Sequence, residues 1–509
     1  MNKFLAKITF YERPWLWKTL LAAALLAAFG LRMINLQDPP LDFAGTRQLF
    51  SALKARGIYY EFVTNVPATT RNLAISLGNV GIVEPPLLEN IVAQTYRLTG
   101  EHLWIARVYS SFFWVIAGLA LFLLIREFAS TSAAMIGTIF YLFVPFGVIA
   151  SRAFMPDPLM VCLIIFTLWA LFRWQNTSSW KWAILFGVFA GAALLVKNLS
   201  SFIIVGGFAG VILGARGLKR SIRDLQVWLM GVLLVLPVTI YSLYGILKLN
   251  MASQFALRFF PKMWVDPSFY FRWAYTVNFN IGWAAVLLAA LSIFLADPKR
   301  ERPLLVGLWV GYLLFGMTFS YYFFTHDYYQ LSFIPVVAIS MAPGLRVFFE
   351  RFFEHAPGIF PRLILTLIVL IGIAIPAWYA RDQIVNANYY DQPAFWASVG
   401  DKLGHTDGAD VVGLTEDYGY RLAYWGWQGT NNWFTSADLG LRYLAGQNVN
   451  ILQNFKHDTA GKKYFLVTMF GELDNEPTIK DLLYKDYPIY AQGKYYTIFD
   501  LQHPLQSQP

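Results

Sequence analysis

Asp42 closes the string Asn35-Leu-Gln-Asp-Pro-Pro-Leu-Asp42, and Asp157 closes Ser151-Arg-Ala-Phe-Met-Pro-Asp157. Each acid follows proline closely and stands where a long apolar run ends or begins. A carboxylate ionised at neutral pH can orient a hydroxyl group and accept its proton. Cations accompany both acids: Arg47 follows Asp42, Arg152 precedes Asp157, and Lys197 closes a later apolar run. Arg and Lys compensate the charge that grows on a phosphate as it departs. Carboxylates and cations together suffice to move a group from a phosphate carrier to a hydroxyl. Glu84, in Glu84-Pro-Pro-Leu, and the string His326-Asp-Tyr328-Tyr329 add further polar groups of the same kind. Each acid also has a plainer explanation, Asp42 as a solvent-facing turn residue and Asp157 as the cap or first-turn acid of a helix opened by Pro156. The six histidines are scattered and His326 has no nearby spaced partner for a zinc site, so it is as fit to donate a hydrogen bond as to bind a metal; a metal is left unassigned, with Glu84, Asp157 and His326 as candidate ligands. The sequence contains no Walker A loop, dinucleotide fingerprint, HExxH or CxxC motif.

These residues must be positioned by apolar helices. Of the 509 residues, 57% are hydrophobic and only 14% charged, against roughly 25% charged in a soluble globular protein. Apolar stretches near the ~20 residues that cross a bilayer recur over 18–36, 103–125, 130–149, 157–173, 181–197, 199–215, 225–245, 276–296, 303–321, 328–343 and 362–380. The expected fold is therefore mainly α, a polytopic membrane bundle of about eleven spans. Lys3, Lys7, Arg13 and Lys18 precede the first run, which is too long for a signal peptide and reads as a retained anchor. With that terminus cytoplasmic, Arg126, Arg173 with Lys181, the 216–223 cluster, Lys299 with Arg300 and Arg302, and Arg346 with Arg351 all fall inside. The net charge of +9 is thereby explained without nucleic acid, because the cations sit in short connections rather than along a groove. The lone cysteine, Cys162, forms no intrachain disulfide.

The same count places Asp42, Glu84, Asp157, Lys197 and His326 on one outer face. Residues 37–102 form the first outer loop, in which 42–56 and 87–98 carry the apolar spacing of interfacial helices and 63–83 reads as loop. After Ala380 the apolar runs shorten to strand length at 410–414, 464–468 and 495–499. A membrane domain over 1–385 and a soluble, extracytoplasmic α/β domain over 386–509 are expected, with Trp425, Trp427 and Trp433 in or near loops of the latter.

The ordered strings Pro39-Pro-Leu-Asp42 with Arg47, Glu84-Pro-Pro-Leu-Leu, Ala106-Arg107-Val-Tyr-Ser110, Ser151-Arg-Ala-Phe-Met-Pro-Asp157, Gly191-Ala-Ala-Leu-Leu-Val-Lys197 and His326-Asp-Tyr-Tyr329 resemble the GT-C superfamily of integral-membrane glycosyltransferases. Within it they are similar to bacterial relatives of protein O-mannosyltransferases and of the aminoarabinose transferase that modifies lipid A. The resemblance covers about 20–343. It implies a polyprenyl-phosphate-linked sugar as donor, a lipid, glycan or protein as acceptor, and a multi-pass plasma (inner) membrane location. It further implies that Asp42 is the catalytic base, that Asp157 is a second catalytic acid of the outer face, and that Arg152 and Lys197 lie near the lipid phosphate. Glu84 matches the acid or histidine before Pro-Pro, close to which a metal sits in aminoarabinose transferases. Where many relatives have Asp-Glu, this chain has Asp42-Phe43. The alternatives from the residues alone are a transporter or flippase of a lipid-linked saccharide and a non-catalytic membrane subunit; paired broken spans, the mark of many transporters, are not evident.

Overall fold

The computed structural model describes residues 14–81, 84–249, 251, 257–356 and 358–505; Lys3, Lys7 and Arg13, expected ahead of the first span, lie outside them. Contacts divide the chain into two units. One comprises Met1–Leu36, Val83–Pro85 and Ala106–Ala387, the other Gln37–Ile82, Pro86–Ile105 and Asn388–Pro509.

The first unit is a helical bundle. Seven helices are long and apolar enough to cross a bilayer: Trp15–Arg32, Trp104–Arg126, Asp157–Thr177, Asn198–Arg216, Leu225–Lys248, Asp327–His355 and Ile359–Asn386. An eighth span is a bent pair, Pro267–Asn280 and Trp283–Leu295, meeting at 97°. Thr131–Phe143, Trp180–Val196 and Arg302–Thr318 are apolar but shorter, so among the described residues seven or eight spans, not eleven, meet the criterion of length and composition. The sequence reading missed the breaks because proline and glycine act locally. Val144, held extended (φ −56°, ψ 125°) ahead of Pro145, ends the helix expected to run to 149. Gly282 at φ 91° turns the chain between the halves of the bent pair. The expected turn at Lys197 is present: its extended backbone (φ −162°, ψ 113°) separates Trp180–Val196 from the next helix.

Leu247 and Ile359 are 76% and 74% exposed on helices that are apolar on all sides, an arrangement stable only in lipid. Inside the bundle, Ser201–Gly210 meets Arg302–Thr318 so closely that a Cβ on Gly206, Gly210, Gly307 or Gly311 would overlap the facing backbone. Close approach through small residues is what drives helix association where lipid tails are as apolar as leucine.

The second unit contains a five-stranded sheet in the order β2-β1-β3-β5-β4, with β1 Val411–Leu414, β2 Asn431–Asn432, β3 Tyr464–Val467, β4 Ile489–Gly493 and β5 Tyr496–Asp500. β1 pairs in parallel with β2 and β3, whereas β5 is antiparallel to β3 and β4. Alternate side chains face opposite ways, and both faces are covered. Val412, Leu414, Phe465, Val467 and Phe499 pack with Trp433, Phe455, Ile479 and Leu483, while Val411, Leu466 and Ile498 pack with Trp396, Val399 and Leu422. Trp433 is thus core.

Also in this unit are three helices from residues 37–102, Gly45–Tyr60, Ala68–Gly78 and Leu87–Thr99. The first and third fall where the apolar spacing over 42–56 and 87–98 predicts helices. The second occupies a stretch read as loop from its Asn, Thr and Gly content, and it packs by close approach of Gly78 to Gly57, a tertiary contact that overrides weak propensity.

Candidate active site

Asp157 begins the helix Asp157–Thr177 as its first-turn acid, after Pro156 at the N-cap, which gives the helix no side-chain cap. Both Asp157 carboxylate oxygens accept from Lys197 Nζ, at 2.9 Å each. Acid and base are buried, 1% and 5% exposed. Lys197 reaches the acid because its helix ends one residue earlier, leaving it on an extended corner. Its ammonium lies 5.0 Å from the Tyr328 ring centre and 5.5 Å from that of Tyr329, near enough for cation–π attraction. His326 stacks on Tyr329 with ring centres 6.0 Å apart and meets Tyr328 edge-on at 5.3 Å; its Nδ1 is 2.6 Å from Thr325 Oγ1. Asp157, Lys197, His326, Tyr328 and Tyr329 are therefore one group.

Two buried guanidinium groups converge on one carbonyl of the same unit: Arg107 Nη1 and Arg152 Nη2 donate to Asn35 O at 3.3 and 3.1 Å. Asn35 can serve both because its backbone is left-handed, at φ 50°, and its side-chain amide donates to Ile384 O and Ala387 O at 3.1 and 3.2 Å. A third guanidinium, on fully buried Arg32, donates to Ser151 Oγ at 2.7 Å and to Leu142 O at 3.0 Å. It thus braces the Ser151–Asp157 connection from the first span. Glu84 is half-buried in a bend. Among the described residues no three His, Cys, Asp or Glu side chains gather where a metal ion could be held, so the grouping of Glu84, Asp157 and His326 does not form, and Asp157 is engaged by Lys197.

Asp42 and Arg47 belong to the other unit. Asp42 is half-buried on a turn whose next residue but one, Ala44, is left-handed at φ 44°. Buried Gln48 braces that turn, donating to Phe43 O at 2.6 Å and Asp42 Oδ1 at 3.4 Å. The helix Gly45–Tyr60 has no side-chain cap of its own. A carboxylate distant in sequence stands at its start: Asp417 accepts from the side chains of Thr46 (Oγ1, 2.7 Å) and Arg421 (Nε, 2.5 Å), and its Oδ2 would be 3.0 Å from a Cβ on Gly45. A carboxylate at a helix N-terminus meets the positive end of the helix dipole. Asp417, Tyr418 and Gly419 all have positive φ, 51°, 54° and 76°, strain that persists only where surrounding contacts over-determine it. Further along the same helix, Arg56 pairs with Glu101 at 2.9 Å and lies 3.7 Å from the Tyr424 ring centre. Burial works to lower the Arg56 pKa, but Glu101 and Tyr424 outweigh it and the net direction is up. Burial, reinforced by Glu101, raises Tyr424 well above the usual phenol value.

Residues 83–244 match the family described as dolichyl-phosphate-mannose-protein mannosyltransferase. Solved structures extend the likeness to nearly the whole chain. ArnT from Cupriavidus metallidurans, bound to undecaprenyl phosphate, aligns over 96% of this chain and 98% of its own, with a TM-score of 0.60 and 15% identity. The archaeal oligosaccharyltransferase AglB from Archaeoglobus fulgidus, in complex with an inhibitory peptide and a dolichol-phosphate, aligns over 98% and 75%, with a TM-score of 0.56 and 11% identity. The chain therefore shares the fold of these membrane-protein structures. No curated protein matches its sequence.

The family match contains Glu84, Arg107, Arg152, Asp157 and Lys197, whereas Asp42, Arg47, His326, Tyr328 and Tyr329 lie outside it. Sequence reasoning gave Arg32, Gln48, Arg107 and Asp417 no role. Arg32 had a signal available, since an arginine at the end of an apolar run is costly unless it is partnered. Asp417 had none, because its contacts depend on residues far away in sequence.

Proposed function

We propose that this chain is an inverting GT-C glycosyltransferase that moves a sugar from a polyprenyl-phosphate-linked donor to an acceptor hydroxyl at the extracytoplasmic membrane face. The observation that carries the reading is the concentration of buried cations inside an apolar bundle, Arg107 and Arg152 on one carbonyl and Lys197 beside Asp157, which suits an anionic carrier group. Lys197 has three ammonium donors and gives two directions to Asp157; the third is available to a phosphate oxygen. Arg152 holds further phosphate oxygens. Asp42 takes the acceptor's proton as the acceptor oxygen attacks the anomeric carbon. The bond from that carbon to the carrier phosphate breaks in the same step, and the polyprenyl phosphate leaves with the electron pair. One displacement inverts the anomeric centre. Arg47 lies close after Asp42 on the next helix and serves substrate binding, as do Glu84, His326, Tyr328 and Tyr329. Aligned structures carrying undecaprenyl phosphate and dolichol-phosphate support the donor class.

In the accompanying topology the chain has eleven spans, counting the bent pair and the three shorter apolar helices, with a cytoplasmic N-terminus and residues after Ala380 outside. Cysteines introduced at Lys219 and Asn450 should label from opposite sides; labelling from one side overturns the arrangement.

The deciding experiment compares Asp42→Asn with the unsubstituted protein, purified and monodisperse, against a panel of polyprenyl-phosphate sugars and acceptors. Donor binding should survive and single-turnover transfer should fall by about 10²–10⁴-fold, the usual contribution of a general base. Transfer by D42N at the unsubstituted rate refutes the catalytic assignment.

A further inference from the structure

At the opposite end of the helix Asp157–Thr177, about 28 Å from Asp157 at 1.5 Å per residue, a cavity of about 290 Å³ is lined by Asn176, Ser178, Arg216, Arg220, Lys299 and Arg300 among others. Its walls come from three connections distant in sequence, and almost every group they present is polar. Asp224 pairs with Arg216 at 3.0 Å, but among the described residues Arg220, Lys299 and Arg300 form no ion pair. Arg300 is fixed by donating to Glu127 O and by lying 5.7 Å from the Phe172 ring centre, and Gln175 Nε2 donates to Arg300 O at 2.7 Å. Arg216 is anchored likewise, 4.2 Å from the Trp174 ring centre, with a side chain 6% exposed whose Nη1 is buried and has no hydrogen-bond partner among the described residues. A guanidinium with an unused buried donor, set among three cations that have no acid to answer them, is built for an anion.

We propose that this cavity binds a phosphate group, and that it is a site separate from the one assigned to sugar transfer. Arg216 and Arg300 are the ordered donors, held before the ligand arrives, while Arg220 and Lys299, both exposed, close on it by charge. The hydroxyl of Ser178 and the amide of Asn176 complete the donor set. A phosphate of this description is carried by the headgroup of an anionic phospholipid or by free inorganic phosphate, and the pocket's place at the ends of bilayer-length helices brings it to the depth of headgroups.

The test uses the full chain in detergent with two probes: phosphatidic acid, counted as bound adducts by native mass spectrometry against phosphatidylcholine, and inorganic phosphate, measured by equilibrium dialysis. Arg220→Gln and Lys299→Gln should each weaken the binding probe about fivefold, as expected for one cation near an anionic headgroup, and together about 25-fold. Lys219→Gln, next to the cavity in sequence but not in its wall, is the control and should change affinity by less than about twofold, a margin well below the effect of one contacting cation. Retention of phosphatidic acid over phosphatidylcholine identifies a lipid headgroup as the source, and phosphate binding without lipid selectivity identifies the free ion. The proposal is overturned if neither probe binds, or if K219Q weakens binding as much as R220Q, which would reflect diffuse positive charge rather than a built site. Equal melting temperatures of the variants and the parent exclude misfolding as the cause of a loss.

Discussion

Replacing Lys197 by methionine leaves the Asp157 carboxylate, 2% exposed at its side chain, without its cation inside an apolar bundle. At 2.9 Å the Coulomb attraction of the pair is about 6 kcal/mol for an effective dielectric near ~20. Desolvating the two groups opposes it by several kcal/mol each. The intact pair therefore contributes little net stability, while loss of one member should cost about 3–5 kcal/mol. The Tyr328 and Tyr329 rings also lose their cation, which adds to the cost of K197M but not to that of Asp157→Asn. K197M should accordingly be the worse of the two single variants. The double variant D157N/K197M carries no buried charge at the site and should return to within about 1 kcal/mol of the parent, as replacements of buried pairs by neutral groups often do. The assay is reversible unfolding of purified protein in mixed micelles of increasing SDS content, followed by far-ultraviolet circular dichroism, with the coupling energy read from the four-protein cycle. If K197M loses less than about 1 kcal/mol, the cost typical of an exposed pair, the pair is solvated and the reasoning fails. It also fails if the double variant is no more stable than K197M.

Asp417→Ala removes the carboxylate at the start of the helix Gly45–Tyr60 and should loosen it by about 0.3–1 kcal/mol, the usual worth of a negative charge at a helix N-terminus, seen as faster hydrogen exchange at its first-turn amides; unchanged exchange refutes this role. Gly307→Ala forces a methyl group into the Gly206 carbonyl and should destabilise the bundle by at least about 1–3 kcal/mol, measured by the same SDS titration. Lys463, 2.7 Å from Asp410, holds that carboxyl below the usual carboxylate range. Because the folded pKa is the lower one, the stabilisation is complete above the unfolded value of about 3.9 and is lost as pH falls through the folded value. Exchange at the β1 and β3 amides should therefore accelerate only at acid pH, and Lys463→Met should shift its onset upward.

Hydropathy made the helices legible, and charge placement made the corner at Lys197 legible, because both are local properties of the chain. The helices Gly45–Tyr60 and Leu87–Thr99 were readable from their apolar spacing for the same reason. The helix Ala68–Gly78 was not, since it depends on a glycine-to-glycine approach across some twenty residues. Strands β1, β3 and β5 were visible as short apolar runs. The two-residue β2 and the exposed β4 carry no such run and exist by pairing. At the candidate site, residue type and proline context pointed to Asp157 and Lys197 separately, but not to each other. Their pairing depends on where two helices end in space. The bracing roles of Arg32 and Gln48 stayed hidden because both act largely through backbone carbonyls, which leave no trace in a residue pattern.

The turn carrying Asp42 shares its unit with the end of the chain. Thr46 and Asp417 are 371 residues apart in sequence, and Arg56 donates to the Tyr424 carbonyl across 368. At about 5–20 residues per second, a ribosome that has released Thr46 needs roughly 20–75 s more to deliver Asp417. During that interval the helix Gly45–Tyr60 lacks Asp417 at its start and Arg56 lacks Tyr424, so this unit is completed only late in synthesis. A nonsense codon between the last span and Asp417 would leave the helix in that open state permanently.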